Sequence, residues 1–145
     1  MSDRTIIVGY DGSEPSNSAL AFAKDQAHKF DASIMLVHVI DWSPFEFRTH
    51  RENETQAQKR REQIEKDREQ LFPPVLSELK AAGISAVAGL KYGNPAEVLA
   101  ELAEECDAFA IVVGRKGSSN LKTILFGSVA SHVVQQAKCP VTVVP

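Results

Sequence analysis

The sequence predicts an α/β fold built on a parallel sheet, and three observations carry that prediction. Five short apolar runs alternate with stretches of helical periodicity, the pattern of βαβ units. Three of the runs, TIIVGY, SIMLVHVI and AFAIVV, are almost continuously apolar, as strands covered on both faces must be. Glycines gather where the first and fourth runs end, the place where a fold of this kind brings main chain close to a ligand. A length of 145 residues suits one domain spanning 1–145.

The strands are expected at Thr5–Tyr10, Ser33–Ile40, Ile84–Lys91, Ala108–Val113 and Val141–Val144. The third alternates, with Ile84, Ala86, Ala88 and Leu90 on one face, which suits a sheet edge. After the first strand, Ser13 or Ser16 caps a helix reaching about Lys29, and Ala19, Ala23 and Ala27 recur every four residues to pack closely on the sheet. Between Glu46 and Gln70 stand seven basic and seven acidic residues, with Ile64 the only sizeable aliphatic besides Phe47. A helix that polar has no apolar face of its own; a solvated helix is the leading reading, ahead of a partner-docking surface or a flap. Pro73-Pro74 breaks or kinks it before Val75, Leu76, Leu79 and Ala82 resume an apolar stripe ending at Gly83. Asn94 as N-cap, Pro95 in the first turn and Glu97 mark the next helix, with Val98, Leu99, Leu102, Ala103 and Cys106 on one face. The last helix starts near Gly127-Ser128, turns Val129, Val133 and Val134 inward, and stops at Cys139-Pro140.

Composition excludes several classes of function. Sixteen Lys and Arg against 19 Asp and Glu leave a net charge of −3, no field for wrapping nucleic acid or docking on anionic lipid. No apolar run is long enough for a membrane span, and Met1 leads directly into Ser2-Asp3-Arg4, so a cytoplasmic home is expected. Cys106 and Cys139 are read as reduced, structural thiols. His28, His50 and His132 have no partner at metal-binding spacing, and His38 reads as a satisfied strand histidine.

The chemistry is expected where the first and fourth strands end, in Gly9-Tyr10-Asp11-Gly12-Ser13 and Gly114-Arg115-Lys116-Gly117-Ser118-Ser119-Asn120. With Gly127, five of the eight glycines fall on one crevice. Glycines let amides point inward as an anion nest, and a helix starting at Ser128 adds unsatisfied N–H groups and the positive end of its dipole. Ser128 can also cap that helix. Neither G-x-x-x-x-G-K-[ST] nor G-x-G-x-x-G occurs, which disfavours a Walker-type NTPase and a dinucleotide dehydrogenase.

The spacing G-x2-G-x9-G-[ST] after an apolar strand, followed by VASHVVQQAKCPVTVV, resembles the ATP-binding branch of the universal stress protein family. TIIVGYDGSEPSNSALAFA and LVHVID are similar to its first two strands and the helix between them, so the resemblance covers the chain apart from residues 45–70. It implies a three-layer, Rossmann-like adenine-nucleotide-binding fold whose open five-stranded parallel sheet has the order 3-2-1-4-5. It further implies that Asp11 and the main chain at Val39 hold the adenosine end, that Gly9 and Gly114 flank the sugar, and that Gly117, Gly127, Ser128 and Val129 surround the phosphates. Arg115-Lys116 departs from the usual pattern there, and Ser118, Ser119 and Asn120 complete the loop. The implied ligand is ATP or another adenine nucleotide, with Mg or Mn on the phosphates, in a stress-response or regulatory protein.

Asp11 has a plainer role available as well, capping the first helix. A phosphoryl-transfer enzyme needs a metal-holding carboxylate, a base and cations, and only Asp11, Glu14, Arg115 and Lys116 are in reach by sequence, so binding without efficient turnover is expected. The runner-up readings are a slow ATPase or autophosphorylating protein, and a regulatory subunit docking on a transporter or other effector. Val141, Thr142, Val143 and Val144 form an edge strand without a charge to protect it, and pairing with a second copy is expected there.

Overall fold

The computed structural model describes residues 4–41, 54–116 and 127–145. Five strands, β1 (Thr5–Gly9), β2 (Ser33–Ile40), β3 (Ala86–Tyr92), β4 (Ala110–Gly114) and β5 (Val141–Val144), form one parallel sheet in the order β3-β2-β1-β4-β5. Five helices connect them: α1 (Glu14–Phe30), α2 (Glu54–Glu69), α3 (Phe72–Ala81), α4 (Pro95–Glu105) and α5 (Ser128–Gln136). The expected order and the edge position of the third strand both hold.

Alternation along the central strands divides the core in two. Ile6 and Val8, with Ile34, Leu36 and Val112, face α1 and α3, where Ala19, Ala23, Ala27, Phe72, Val75 and Leu79 meet them. Ile7, Val37, Ile111 and Val113 face the opposite way, against Leu99 and Ala103 of α4 and Ala130 and Val133 of α5. The result is three layers with β1 sealed in the middle, as its unbroken apolar run requires.

Two strand starts lie later than the sequence suggested. Ile84 and Ala108 are outside the sheet because they close the preceding helices: Ile84 N–H donates to Leu79 O at 3.0 Å, and Ala108 N–H to Ala103 O at 2.8 Å. The residue before each has left-handed backbone, Gly83 at φ 79° and Asp107 at φ 51°. Helix α1 ends the same way, with Asp31 at φ 50° and Ala32 N–H on Ala27 O at 2.9 Å. Each closure buries the apolar residue that follows it, here Ala32, Ile84 and Ala108.

Other local expectations are corrected. Ser13, rather than Ser16, caps α1. The break between α2 and α3 falls at Gln70-Leu71, and Pro73-Pro74 sit inside the first turn of α3, where a missing N–H costs nothing. Gly127 occupies the cap position of α5, so Ser128 is its first residue and caps nothing. Val134 is 54% exposed, because residues adjacent on a helix diverge by about 100° and Val133 takes the inward direction. Cys106 is exposed at the end of α4, Cys139 is half-buried, and both are free thiols.

Gly114 marks a close approach between sheet and helix. A Cβ there would stand 2.8 Å from the main-chain carbon and oxygen of Pro15, at the start of α1. Backbone must move to admit it, so Gly114→Ala is expected to lower stability by about 1–3 kcal/mol. Urea unfolding will show this as a lower midpoint at unchanged slope; an unchanged midpoint means that α1 yields freely.

Candidate functional site

Strand order reverses between β1 and β4, and a cleft of about 970 Å³ opens above their carboxyl ends. Its size falls in the ordinary range for small-molecule sites. Gly9 and Gly114 end the two strands on its floor, and Asp11 follows β1 into it. Val39 contributes from β2, while Lys116, Gly127, Ser128 and Val129 come from the far side. Eight of the residues singled out by sequence thus share one cleft. Gly117, Ser118, Ser119, Asn120 and Lys122 lie outside the described residues, as do Trp42 and Phe45.

Two positions do not meet expectation. Gly12 does not line the cleft; the site of its missing side chain lies 3.1 Å from Leu71. Arg115 faces a smaller recess beside Glu14, Pro15, Ser18 and Pro145. Its main chain does the positioning instead: its N–H donates to Val144 O and its carbonyl accepts from Gly127 N–H, both at 2.7 Å. This pair of bonds ties the end of β5 to the start of α5 and aims that helix at the cleft. No side chain caps α5 among the described residues, and Ser128, Val129 and Ala130, which begin it, all border the cleft. Amides with no partner inside the helix, at the positive end of its dipole, make that wall receptive to an anion.

The opposite wall is made of side chains. Asp11 Oδ1 accepts from the Ser13 hydroxyl and, at 2.9 Å, from Ser13 N–H, while Asp11 N–H donates to Ser16 Oγ at 3.4 Å. Burial pushes the Asp11 carboxyl up, but the bonds from Ser13 and Ser16 and the nearby His38 outweigh it and hold the group below the ordinary carboxylate value. Asp11 therefore does not cap α1, a role that Ser13 takes; it braces the cap residue and lines the cleft as an anion. His38 is 5% exposed, and its Nδ1–H donates to the Tyr10 carbonyl at 2.9 Å. Burial lowers its pKa, Arg68 adds to this, and the Tyr10 bond and Asp11 oppose it only in part. The imidazole is neutral at pH 7. No three His, Cys, Asp or Glu side chains converge as a metal site among the described residues.

Comparison with known families matches residues 3–145 to the Universal stress protein family. The chain belongs to that family. A universal stress protein of Methanocaldococcus jannaschii, MJ0531, is 32% identical over 97% of this chain and 81% of its own length. A second, from Thermus aquaticus, is 30% identical over 97% and 98%. Among solved structures, hypothetical protein MJ0577 superposes with a TM-score of 0.85 at 26% identity, covering 99% of this chain and 96% of its own. A universal stress protein in complex with cAMP is 27% identical with a TM-score of 0.68, over 97% and 95%.

Within this universal stress fold, the contribution missed by sequence reasoning comes from the charged segment. Ile64, Asp67 and Arg68 of α2, with Leu71 beyond it, border the cleft beside His38 and Asp41. One signal was available: Ile64 is the lone large aliphatic in α2, and a helix with no apolar stripe has little use for one unless it faces something particular.

Protonation of His38 has a defined sign. Its folded pKa lies below the ordinary 6.5, so the unfolded chain takes up the proton first and stability falls as pH drops below about 6.5, levelling off once the folded pKa is passed. His38→Asn keeps a donor for Tyr10 and removes the titration. Urea midpoints between pH 7.5 and 5.5 should decline for wild type and stay flatter for the variant; parallel curves would show that another group controls the slope.

Proposed function

We propose that this universal stress protein binds ATP, or another adenine nucleotide, in the cleft above β1 and β4, and works by binding rather than by efficient turnover. The observation that carries the reading is the uncapped start of α5 facing one end of a cleft whose other end is lined by Asp11 and β2. Phosphates fit the first end, where Gly127, Ser128 and Val129 offer main-chain amides and Lys116 a cation. A nucleoside fits the second, with Gly9 and Gly114 flanking the sugar and Asp11 and the Val39 main chain supplying acceptors. Mg or Mn would travel with the phosphates, since no protein cage for it is present among the described residues. The solved relative carrying cAMP at 27% identity supports an adenine ligand. The proposal extends to a cytoplasmic protein that acts in stress response or in the regulation of an effector.

Ser128→Glu tests the phosphate end without harming the helix, because an acidic first residue favours the dipole. Calorimetry is expected to show ATP affinity reduced at least tenfold, about 1.4 kcal/mol, with adenosine affinity unchanged. Equal ATP affinity in variant and wild type would sink the assignment of the phosphates to α5.

The same proposal includes a homodimer formed through β5. The strand lies at the sheet edge, its only sheet partner among the described residues is β4, and all four residues are partly exposed. Val141 and Val143 lean on one core and Val144 on the other, so Thr142 takes a lysine at least cost to the interior. Thr142→Lys is expected to sediment as a monomer where wild type is a dimer. A variant that stays dimeric would move the interface elsewhere.

A further inference from the structure

Helix α2 reaches the cleft without the apolar stripe that fastens the other helices. Its mean polarity is extreme, and Ile64 and Ala57 are its only half-buried apolar residues among those described. Polar contacts with the edge of the sheet help to hold it. Tyr92, the last residue of edge strand β3, donates its hydroxyl to Glu65 Oε1. The Arg61 guanidinium carbon lies 5.0 Å from the Tyr92 ring centroid, and Arg61 Nε is 3.9 Å from the same Glu65 oxygen. Arg61 and Glu65 are one turn apart, so a single phenol engages α2 at two levels, by a charge-assisted hydrogen bond and by a cation on its ring. Burial, then Glu65, raises the Tyr92 pKa, which keeps the phenol a donor at neutral pH.

The side chains between and beyond those contacts face the cleft. Ile64 precedes Glu65, Arg68 follows it by three residues, and both border the cleft beside His38. Tyr92 pairs in register with Ile40, itself a cleft residue. The sheet order puts β3 and α2 at the β2 end of the cleft, away from α5.

We propose that Tyr92 is a positioning residue: with Glu65 and Arg61 it forms a polar latch that seats Ile64 and Arg68 of α2 as a wall against the nucleoside. This rests on the nucleotide reading above. Because the latch acts at the nucleoside end, loosening it weakens adenosine and ATP by the same factor, whereas damage at α5 weakens ATP alone.

The test uses the full chain, with Tyr92→Phe and Glu65→Gln as conservative variants that approach one hydrogen bond from its two sides. Each is expected to lower adenosine and ATP affinity alike, about three- to tenfold, and to speed amide hydrogen exchange across α2 in the ligand-free protein. In an Ile64→Ala/Arg68→Ala background, Tyr92→Phe is expected to cost no further affinity, since the residues it positions are gone. A merely structural Tyr92 would add its full effect there, and that outcome overturns the proposal. So does wild-type affinity in both single variants. If the wild-type chain binds neither adenosine nor ATP, the nucleotide reading falls and this inference falls with it.

Discussion

Strand β1 is hydrogen-bonded along both edges, to β2 through Thr5–Gly9 and to β4 through Ile6–Val8, and the rest of the chain is arranged around that double pairing. A parallel strand cannot be joined to its neighbour by a hairpin, so each pairing demands a helical crossover. The crossover to β2 lays α1 on one face, and reaching β4 on the other side of β1 lays α4 on the opposite face. At the carboxyl ends of β1 and β4 the two paths diverge, and among the described residues no helix fills the space between them. The cleft is the geometric remainder of a fully paired central strand. Ile6, Ile7 and Val8, nearly inaccessible to solvent, make that strand too costly to rearrange.

The walls of the cleft are built by different physics. On the β4 side the main chain does the work: Arg115 bridges β5 and α5, Gly114 sits against Pro15, and the helix start is presented with its amides outward. On the β2 side the work falls to side chains, with Asp11 held ionised by Ser13 and His38 held neutral by burial. Neither wall depends on net charge. The chain carries −3 overall and still presents a surface suited to an anion, because partial charges fixed in place count for more at contact range than the sum over the molecule.

Much of this was legible in the residues. Unbroken apolar runs announced β1, β2 and β4, alternation announced β3 as an edge, and the Asn94-Pro95-Glu97 start fixed α4 within a residue. What remained hidden has a common cause. Hydrophobicity reports that a residue is buried but not which backbone conformation buries it, so Ile84 and Ala108 read as strand starts when they close helices. Adjacent valines in α5 read as equally inward, although a helix can turn only one of them to the core. The charged α2 was hardest, since it makes its polar contact with the sheet through Tyr92, a residue distant in sequence that no periodicity within α2 could reveal.

The three helix closures at Asp31, Gly83 and Asp107 give the molecule two unequal ends. Each fixes the return to the sheet with a left-handed residue and a buried neighbour, so lengthening any of these turns would pull Ala32, Ile84 or Ala108 out of the core. At the opposite end β2 stops at Ile40 well before α2 starts at Glu54, and β4 stops at Gly114 well before α5 starts at Ser128. A change of chain length is therefore costly at each of these three turns, which lie at the end away from the cleft. Lineages of such a chain can change what they recognise by altering loop length while the amino-terminal rim of the sheet stays constant, which separates the evolution of specificity from the maintenance of the fold.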